Sequence, residues 1–167
     1  MAPNSLTWFI TGTSSGFGEI FVKQILARGD KAIATARSLS KIQHLKAAGA
    51  SILELDVTAP QPAIDAKARE ALAIYGGIDV LVNNAGYAAL GTLEDVTPDQ
   101  WADQFNTNVF GVVNVTRAFM PHFRGKKDGF VVFIGSVGGW NGSPVGGPYC
   151  SSKFALEGSS DLLPYPQ

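Results

Sequence analysis

Short apolar runs alternate with amphipathic stretches along this chain, and that alternation constrains its fold more than any other feature. Residues 6–10, 31–36, 52–57, 78–82 and 130–134 have the length and the apolar content of strands. Between and after them lie stretches with helical character, over 19–27, 38–48, 62–75, a long one from Thr97 to about His122, and a last one over 149–163 ended by Pro164. Punctuation fits these bounds: Gly29, Gly49 and Gly76-Gly77 close helices, Ser38 and Thr97 are N-cap candidates, and Pro98 suits a first helical position. A loop rich in Gly and Pro is expected over 138–148. Strands that are apolar on both faces and separated by helices predict a parallel sheet covered on both sides.

Composition narrows the setting. A length of 167 residues predicts one domain, and 46% hydrophobic content with only 16% charged residues excludes a disordered chain. A net charge of −1 without a basic run argues against nucleic acid as the main partner. The lone Cys150 has no internal disulfide partner, which fits a reducing compartment. Residues 1–5 carry no charged leader, and no apolar run reaches the roughly 18 residues of a membrane span. A soluble, cytoplasmic chain with no membrane partner is the expectation.

The turn after the first strand reads Thr11-Gly12-Thr13-Ser14-Ser15-Gly16-Phe17-Gly18. Gly12 permits a sharp exit from the strand. Gly16 and Gly18 let backbone come close to a pyrophosphate, and the following helix offers it free N–H groups and a positive dipole end. Thr13, Ser14 and Ser15 add hydroxyl donors, and Phe17 completes the binding turn. The same pattern also serves as a tightly packed turn that binds nothing; the strand before it and the helix after it favour the nucleotide reading. The second strand ends in Ala36-Arg37-Ser38, without the carboxylate that would take ribose hydroxyls. Arg37 suits a 2′-phosphate, so NADP(H) is expected over NAD(H). With this turn the fold class is a doubly wound Rossmann-type α/β sheet of about five strands, a single NAD(P)-binding domain over 1–167.

Four further features stand in a fixed order: Asp56 at the end of the third strand, Asn83-Asn84-Ala85-Gly86 after the fourth, Asn108 inside the long helix, and Gly135-Ser136 followed by Tyr149-Cys150-Ser151-Ser152-Lys153. This ordered set resembles the short-chain dehydrogenase/reductase family. The resemblance implies that Asp56, Asn83, Ala85 and Gly86 contact the cofactor and that Asn108, Ser136, Tyr149 and Lys153 are catalytic. Tyr149 would exchange the proton of a small-molecule carbonyl or alcohol, and Ser136 would hydrogen-bond the substrate oxygen. Lys153 would bind the nicotinamide ribose alongside Tyr149, and Asn108 would hold a water of the proton relay. The residue types suit these tasks. Tyr149 and Lys153 are four apart, on one helical face. An ammonium beside a phenol favours its ionised form. Taken singly, each residue also has a structural use, as packing group, solvated charge, turn former or helix bender.

Other residues carry less. His44, His122 and Arg117 read as surface groups, and Cys150 as helix filler. Trp101, Phe105, Val109, Val112 and Val113 read as core or subunit contacts, so a homo-oligomer would use the long helix and the helix from Tyr149. Residues 140–148 line the substrate mouth or form an ordinary loop. No His/Cys/Asp/Glu spacing suggests a metal site. The resemblance fades after Gly158, and the family's sixth strand, Pro-Gly element and substrate-covering segment have no counterpart in these 167 residues. The fifth strand is therefore expected at an exposed sheet edge. Two functional classes follow. One is an NADP(H)-dependent oxidoreductase, with epimerisation or dehydration as variants on the same site. The other is a non-catalytic dinucleotide-binding remnant that acts through nucleotide or partner binding.

Overall fold

The structure, a computed structural model, describes residues 5–160. The five apolar runs form β1 (Thr7–Ile10), β2 (Lys31–Ala36), β3 (Ser51–Glu54), β4 (Val80–Asn83) and β5 (Phe130–Phe133). All pair in parallel, in the order β3-β2-β1-β4-β5. The helices are α1 (Gly16–Ala27), α2 (Gln43–Ala47), α3 (Gln61–Tyr75), α4 (Pro98–Phe105), α5 (Gly111–Lys126) and α6 (Gly147–Ser160). The doubly wound α/β class expected from the alternation is the observed one.

Strand alternation divides the apolar residues between two cores. Phe9, Ile33, Leu53 and Leu81 meet Ile64 and Ala68 of α3 and Val115 and Phe119 of α5. Ile10, Ala32, Ala34, Val80 and Val82 meet Val22 and Ile25 of α1 and Leu45 of α2. The Phe9 and Phe119 rings lie 4.8 Å apart, and burying each such side chain contributes about 1.5–3 kcal/mol.

Several boundaries differ from expectation for local reasons. The third strand stops early, although Leu55 N–H still donates to the Ala36 carbonyl; Asp56 then turns the chain by accepting from Thr58 N–H and Oγ1. The helix expected over 38–48 is a 3₁₀ turn (Leu39–Ile42) followed by the short α2. Ser38 does not cap it, since its hydroxyl lies against Ser40 Oγ. Thr97 does cap α4, in a reciprocal box with Gln100. The long helix is interrupted by a π turn over Asn106–Phe110 and runs past Pro121 to Lys126, with Phe119 and Phe123 buried on either side of the proline. The loop expected from 138 holds a 3₁₀ turn (Val137–Gly139) and yields to α6 at Gly147. The expected end of the last helix, at 161–164, lies outside the described residues.

This topology positions a site. The chain runs from β1 outward to β2 and β3, then crosses back to β4 and β5. At the β1/β4 boundary the connections leave in opposite directions and open a crevice beyond the carboxyl ends of the strands.

Candidate active site

The glycine-rich turn is held against the end of β4 by a compact set of bonds. The Thr11 hydroxyl accepts from the Asn84 and Ala85 N–H groups, at 3.0 and 2.9 Å. The Asn84 side-chain amide donates to the carbonyls of Thr11 (2.8 Å) and Gly12 (2.9 Å). A Cβ on Gly18 would lie 2.4 Å from the Gly12 carbonyl oxygen and 2.5 Å from Asn84 Nδ2. Gly12 has φ +69°, and a Cβ there would sit 2.7 Å from Ala85 Cα. Both positions therefore require glycine. Thr13 departs from expectation: it is fully buried, and its hydroxyl donates to the Thr35 carbonyl rather than facing outward. Ser14, Ser15, Gly16 and Phe17 line the opening.

That opening is a cleft of about 1090 Å³ across the strand ends. Arg37 follows β2 into it, Asp56 follows β3, Asn84 to Tyr87 follow β4, and Ile134 to Ser136 follow β5. Asn83, named from the sequence as a cofactor contact, does not line the cleft. Its buried amide points under the sheet and donates to Thr116 Oγ1 at 3.0 Å. Asn84, which the sequence reading passed over, takes the place on the cleft. The signal was strand alternation: successive residues leaving β4 point to opposite sides. Tyr87 and Asp103 also line the cleft; burial, together with the Asp103 carboxylate, pushes the Tyr87 hydroxyl up, so it stays protonated.

Tyr149, Lys153 and Ser136 meet at the far end. Tyr149 and Lys153 share one face of α6, with Lys153 Nζ 5.9 Å from the Tyr149 ring centre. Lys153 is only 8% exposed, and Nζ donates to the Ile134 carbonyl at 2.5 Å. Burial pushes its ammonium below the ordinary lysine range, against the opposing effect of Glu157 one turn along. Gly138 sits between the other two groups: a Cβ there would be 3.3 Å from Tyr149 Cε1 and 3.4 Å from Ser136 Oγ. Ser136 Oγ also accepts from Gly138 N–H, which fixes the turn after β5.

Asn108 is placed differently from the other three. It lies in the π turn, 1% exposed, and does not form the cleft wall. Its two amide protons go to the Tyr87 carbonyl (2.9 Å) and Ser152 Oγ (3.1 Å), and its oxygen accepts from Tyr87 N–H (3.1 Å). A water on Asn108 would have to use the remaining lone pair of that oxygen or the backbone carbonyl.

The minor expectations divide. His44 is exposed beside Glu19, and Arg117 is exposed. His122 is not a surface residue: it is half-buried, with Nε2 2.9 Å from the Ile78 carbonyl oxygen. Cys150 is buried, near Ser143. Trp101 stacks on Phe105 and packs under Gly147, joining α4 to α6. Residues 91 and 146 form a bridge, and Gly91 N–H donates to the Val145 carbonyl at 2.8 Å. Among the described residues no group of His, Cys, Asp and Glu suits a metal ion, and no helix is long and apolar enough to cross a membrane.

Comparison with known proteins extends this picture. Residues 7–164 match the short chain dehydrogenase family model. The chain is 40% identical, over 92% of its length, to the uncharacterized oxidoreductase YusZ of Bacillus subtilis, and covers 57% of that protein. It therefore spans little more than half the length of the curated relatives it matches. Among solved structures, a short-chain dehydrogenase from Streptomyces avermitilis superposes with a TM-score of 0.90 at 40% identity, covering 96% of this chain and 59% of the other. A variant actinorhodin polyketide ketoreductase with NADPH gives 0.86 at 30% identity, covering 93% and 62%. A Burkholderia phymatum short chain dehydrogenase/reductase in complex with NAD gives 0.85 at 31%, covering 94% and 58%. A parallel sheet with its crevice at the β1/β4 boundary, the Tyr149/Lys153/Ser136 cluster at one end of that crevice, and a family match spanning nearly every described residue agree with one another: the chain belongs to the short-chain dehydrogenase family.

Proposed function

We propose that this chain is an oxidoreductase that uses NADP(H) in preference to NAD(H) to interconvert a carbonyl and an alcohol, with Tyr149 as the general acid/base. The observation that carries the reading is the convergence of Tyr149 Cε1 and Ser136 Oγ on Gly138, with Lys153 beside the Tyr149 ring. A phenol and a hydroxyl that line the same cleft can share a carbonyl oxygen, one giving it a proton and the other a hydrogen bond.

The cleft fits a dinucleotide. Gly12 brings backbone to the cleft, Gly18 lets α1 pack against Gly12, and the first turn of α1 presents N–H groups without helical partners. Ser14 to Phe17 would hold the pyrophosphate, Asp56 the adenine side, Ala85 and Gly86 the middle, and Tyr149 with Lys153 the nicotinamide ribose. When bound, the dinucleotide supplies or takes up the hydride. Arg37, exposed and free of any carboxylate partner in its own strand end, supports the 2′-phosphate. The related structures hold NADPH in one case and NAD in another, so Arg37 carries this preference. The reading includes a cytoplasmic setting and, through exposed Phe110 and Val113 on the long helix and Phe154 on α6, pairing with a second copy.

A second reading has its own observation. Phe130 and Val132 of β5 are 64% and 37% exposed, which suits a dinucleotide-binding protein that acts through a partner on that edge. Loss of NADPH absorbance with a panel of ketones separates the two, run in parallel with NADH. Turnover that is faster with NADPH supports the oxidoreductase. Tight binding of dinucleotide with no turnover of any ketone supports the second reading. With turnover in hand, Tyr149→Phe should lower kcat by about a hundredfold or more and leave dinucleotide affinity within about threefold. An unchanged kcat would remove Tyr149 from its role.

A further inference from the structure

Two fully buried polar side chains have no part in the reading above: Gln104 of α4 and Ser152 of α6. Buried amides and hydroxyls require partners, and both have them. Gln104 Oε1 accepts from Ala89 N–H at 2.6 Å, and Nε2 donates to the Tyr87 carbonyl at 2.8 Å. One turn further on, Asn108 accepts from Tyr87 N–H and donates to the same carbonyl. The Tyr87 peptide is therefore saturated: its N–H is used once and its oxygen twice. The other Asn108 proton goes to Ser152 Oγ, and Ser152 donates its single proton to the Tyr149 carbonyl at 2.7 Å. The path has one direction only, because the Ser152 hydroxyl has a single proton to give.

Tyr87 and Ala88 line the dinucleotide cleft, and Tyr149 carries the proposed chemistry. We propose that Gln104 and Ser152 are positioning residues, which with Asn108 couple the cleft-lining segment 87–89 to the helix turn that bears Tyr149. The proposal rests on the active-site reading for its functional meaning. Its physical basis is that Asn108 serves both sides at once. If Ser152 loses its oxygen, a buried Asn108 proton loses its acceptor, and the grip on Tyr87 must shift to compensate. If Gln104 loses its amide, Asn108 alone holds the Tyr87 peptide, and its bond to Ser152 slackens. A merely structural role predicts the contrary: each loss stays within its own element.

Amide exchange read by mass spectrometry on the full chain tests this, using peptides 85–91 and 147–153 with 19–27 as a distant control. Ser152→Ala should speed exchange in 85–91, to which Ser152 makes no direct hydrogen bond, by roughly tenfold. Gln104→Met should do the same to 147–153. The control should not move in either variant. If one variant also speeds the control, it has lost stability globally, and the other variant decides. Exchange changes confined to 147–153 in Ser152→Ala and to 85–91 in Gln104→Met overturn the proposal. Turnover is read separately: Ser152→Ala should cut kcat about tenfold while dinucleotide affinity stays within about threefold. Absent turnover in the unaltered chain, with the exchange coupling intact, would count against the oxidoreductase reading and leave the coupling standing.

Discussion

β4 and β5 lie side by side, in register from Val80↔Phe130 to Asn83↔Phe133, both four residues long and mainly apolar, and they meet opposite surroundings. All four residues of β4 are buried, whereas β5 alternates between exposed and half-buried. The difference continues past the strand ends. Beyond β4, Asn84 and Ala85 are locked to the glycine turn, with atoms close enough to exclude a methyl group. Beyond β5, Val137 and Trp140 are 77% and 71% exposed. An apolar run specifies a strand; what surrounds it decides whether the strand is inside. Among the described residues the glycine-turn side of the cleft is built to close tolerance, and Phe130, Val132, Val137 and Trp140 on the β5 side are exposed.

The largest expected effect falls on the locked side. Gly18→Ala puts a methyl group against the Gly12 carbonyl and the Asn84 amide, neither of which can move without breaking the bonds described above. It should cost about 3 kcal/mol of stability, read by chemical denaturation, and weaken dinucleotide binding. A loss under about 1 kcal/mol would mean that the lock is looser than its distances indicate.

A pair of truncations then weighs the two strands directly. Leu81 is fully buried in β4, so Leu81→Ala should cost about 3 kcal/mol. Val132 is 37% exposed in β5, so Val132→Ala should cost less than about 1 kcal/mol. Should the two losses prove equal, β5 is covered in solution by something the 5–160 fold does not include, and a dependence of the Val132→Ala loss on protein concentration would identify a second copy.

The succession of strands and helices was legible in the sequence, because apolar alternation and glycine punctuation are local signals. Of the residues it names for a site, Gly12, Arg37, Asp56, Ser136, Tyr149 and Lys153 line one cleft. Its errors have specific causes. The family resemblance puts Asn83 at the cofactor, whereas alternation turns Asn83 inward to Thr116 and leaves Asn84 facing the glycine turn. Thr13 has the right hydroxyl at the right place in the chain, but it is drawn to Thr35 on the neighbouring strand, a partner 22 residues away that spacing cannot reveal. The π turn around Asn108 depends on bonds to Tyr87 and Ser152, both distant in sequence. Gln104 could have been found, as a polar residue one turn before Asn108 on the same helical face. Its total burial could not.

A pH-dependent effect lies at the opposite end of the same two strands. Asp79, just before β4, accepts from Thr7 N–H through its carboxylate at 2.7 Å and pairs with Lys126 at the end of α5, and its carbonyl accepts from Phe130 N–H at 2.8 Å. It thus joins the starts of β1, β4 and β5. Burial alone would push its carboxyl up; the Lys126 ammonium and the Thr7 N–H outweigh burial and hold it below the ordinary carboxylate range. A depressed folded value means that folding favours the ionised form. The stabilisation is fully present above the unfolded value and fades as pH falls through the folded one. Asp79→Asn keeps the acceptor for Thr7 and the backbone bond to Phe130 but removes the charge, and should cost about 1 kcal/mol at pH 7. The two proteins should converge in stability as the pH is lowered below the ordinary aspartate range. A gap that stays constant over that range would trace the loss to packing at the joint, and the attachment of β5 would then owe nothing to the Lys126 charge.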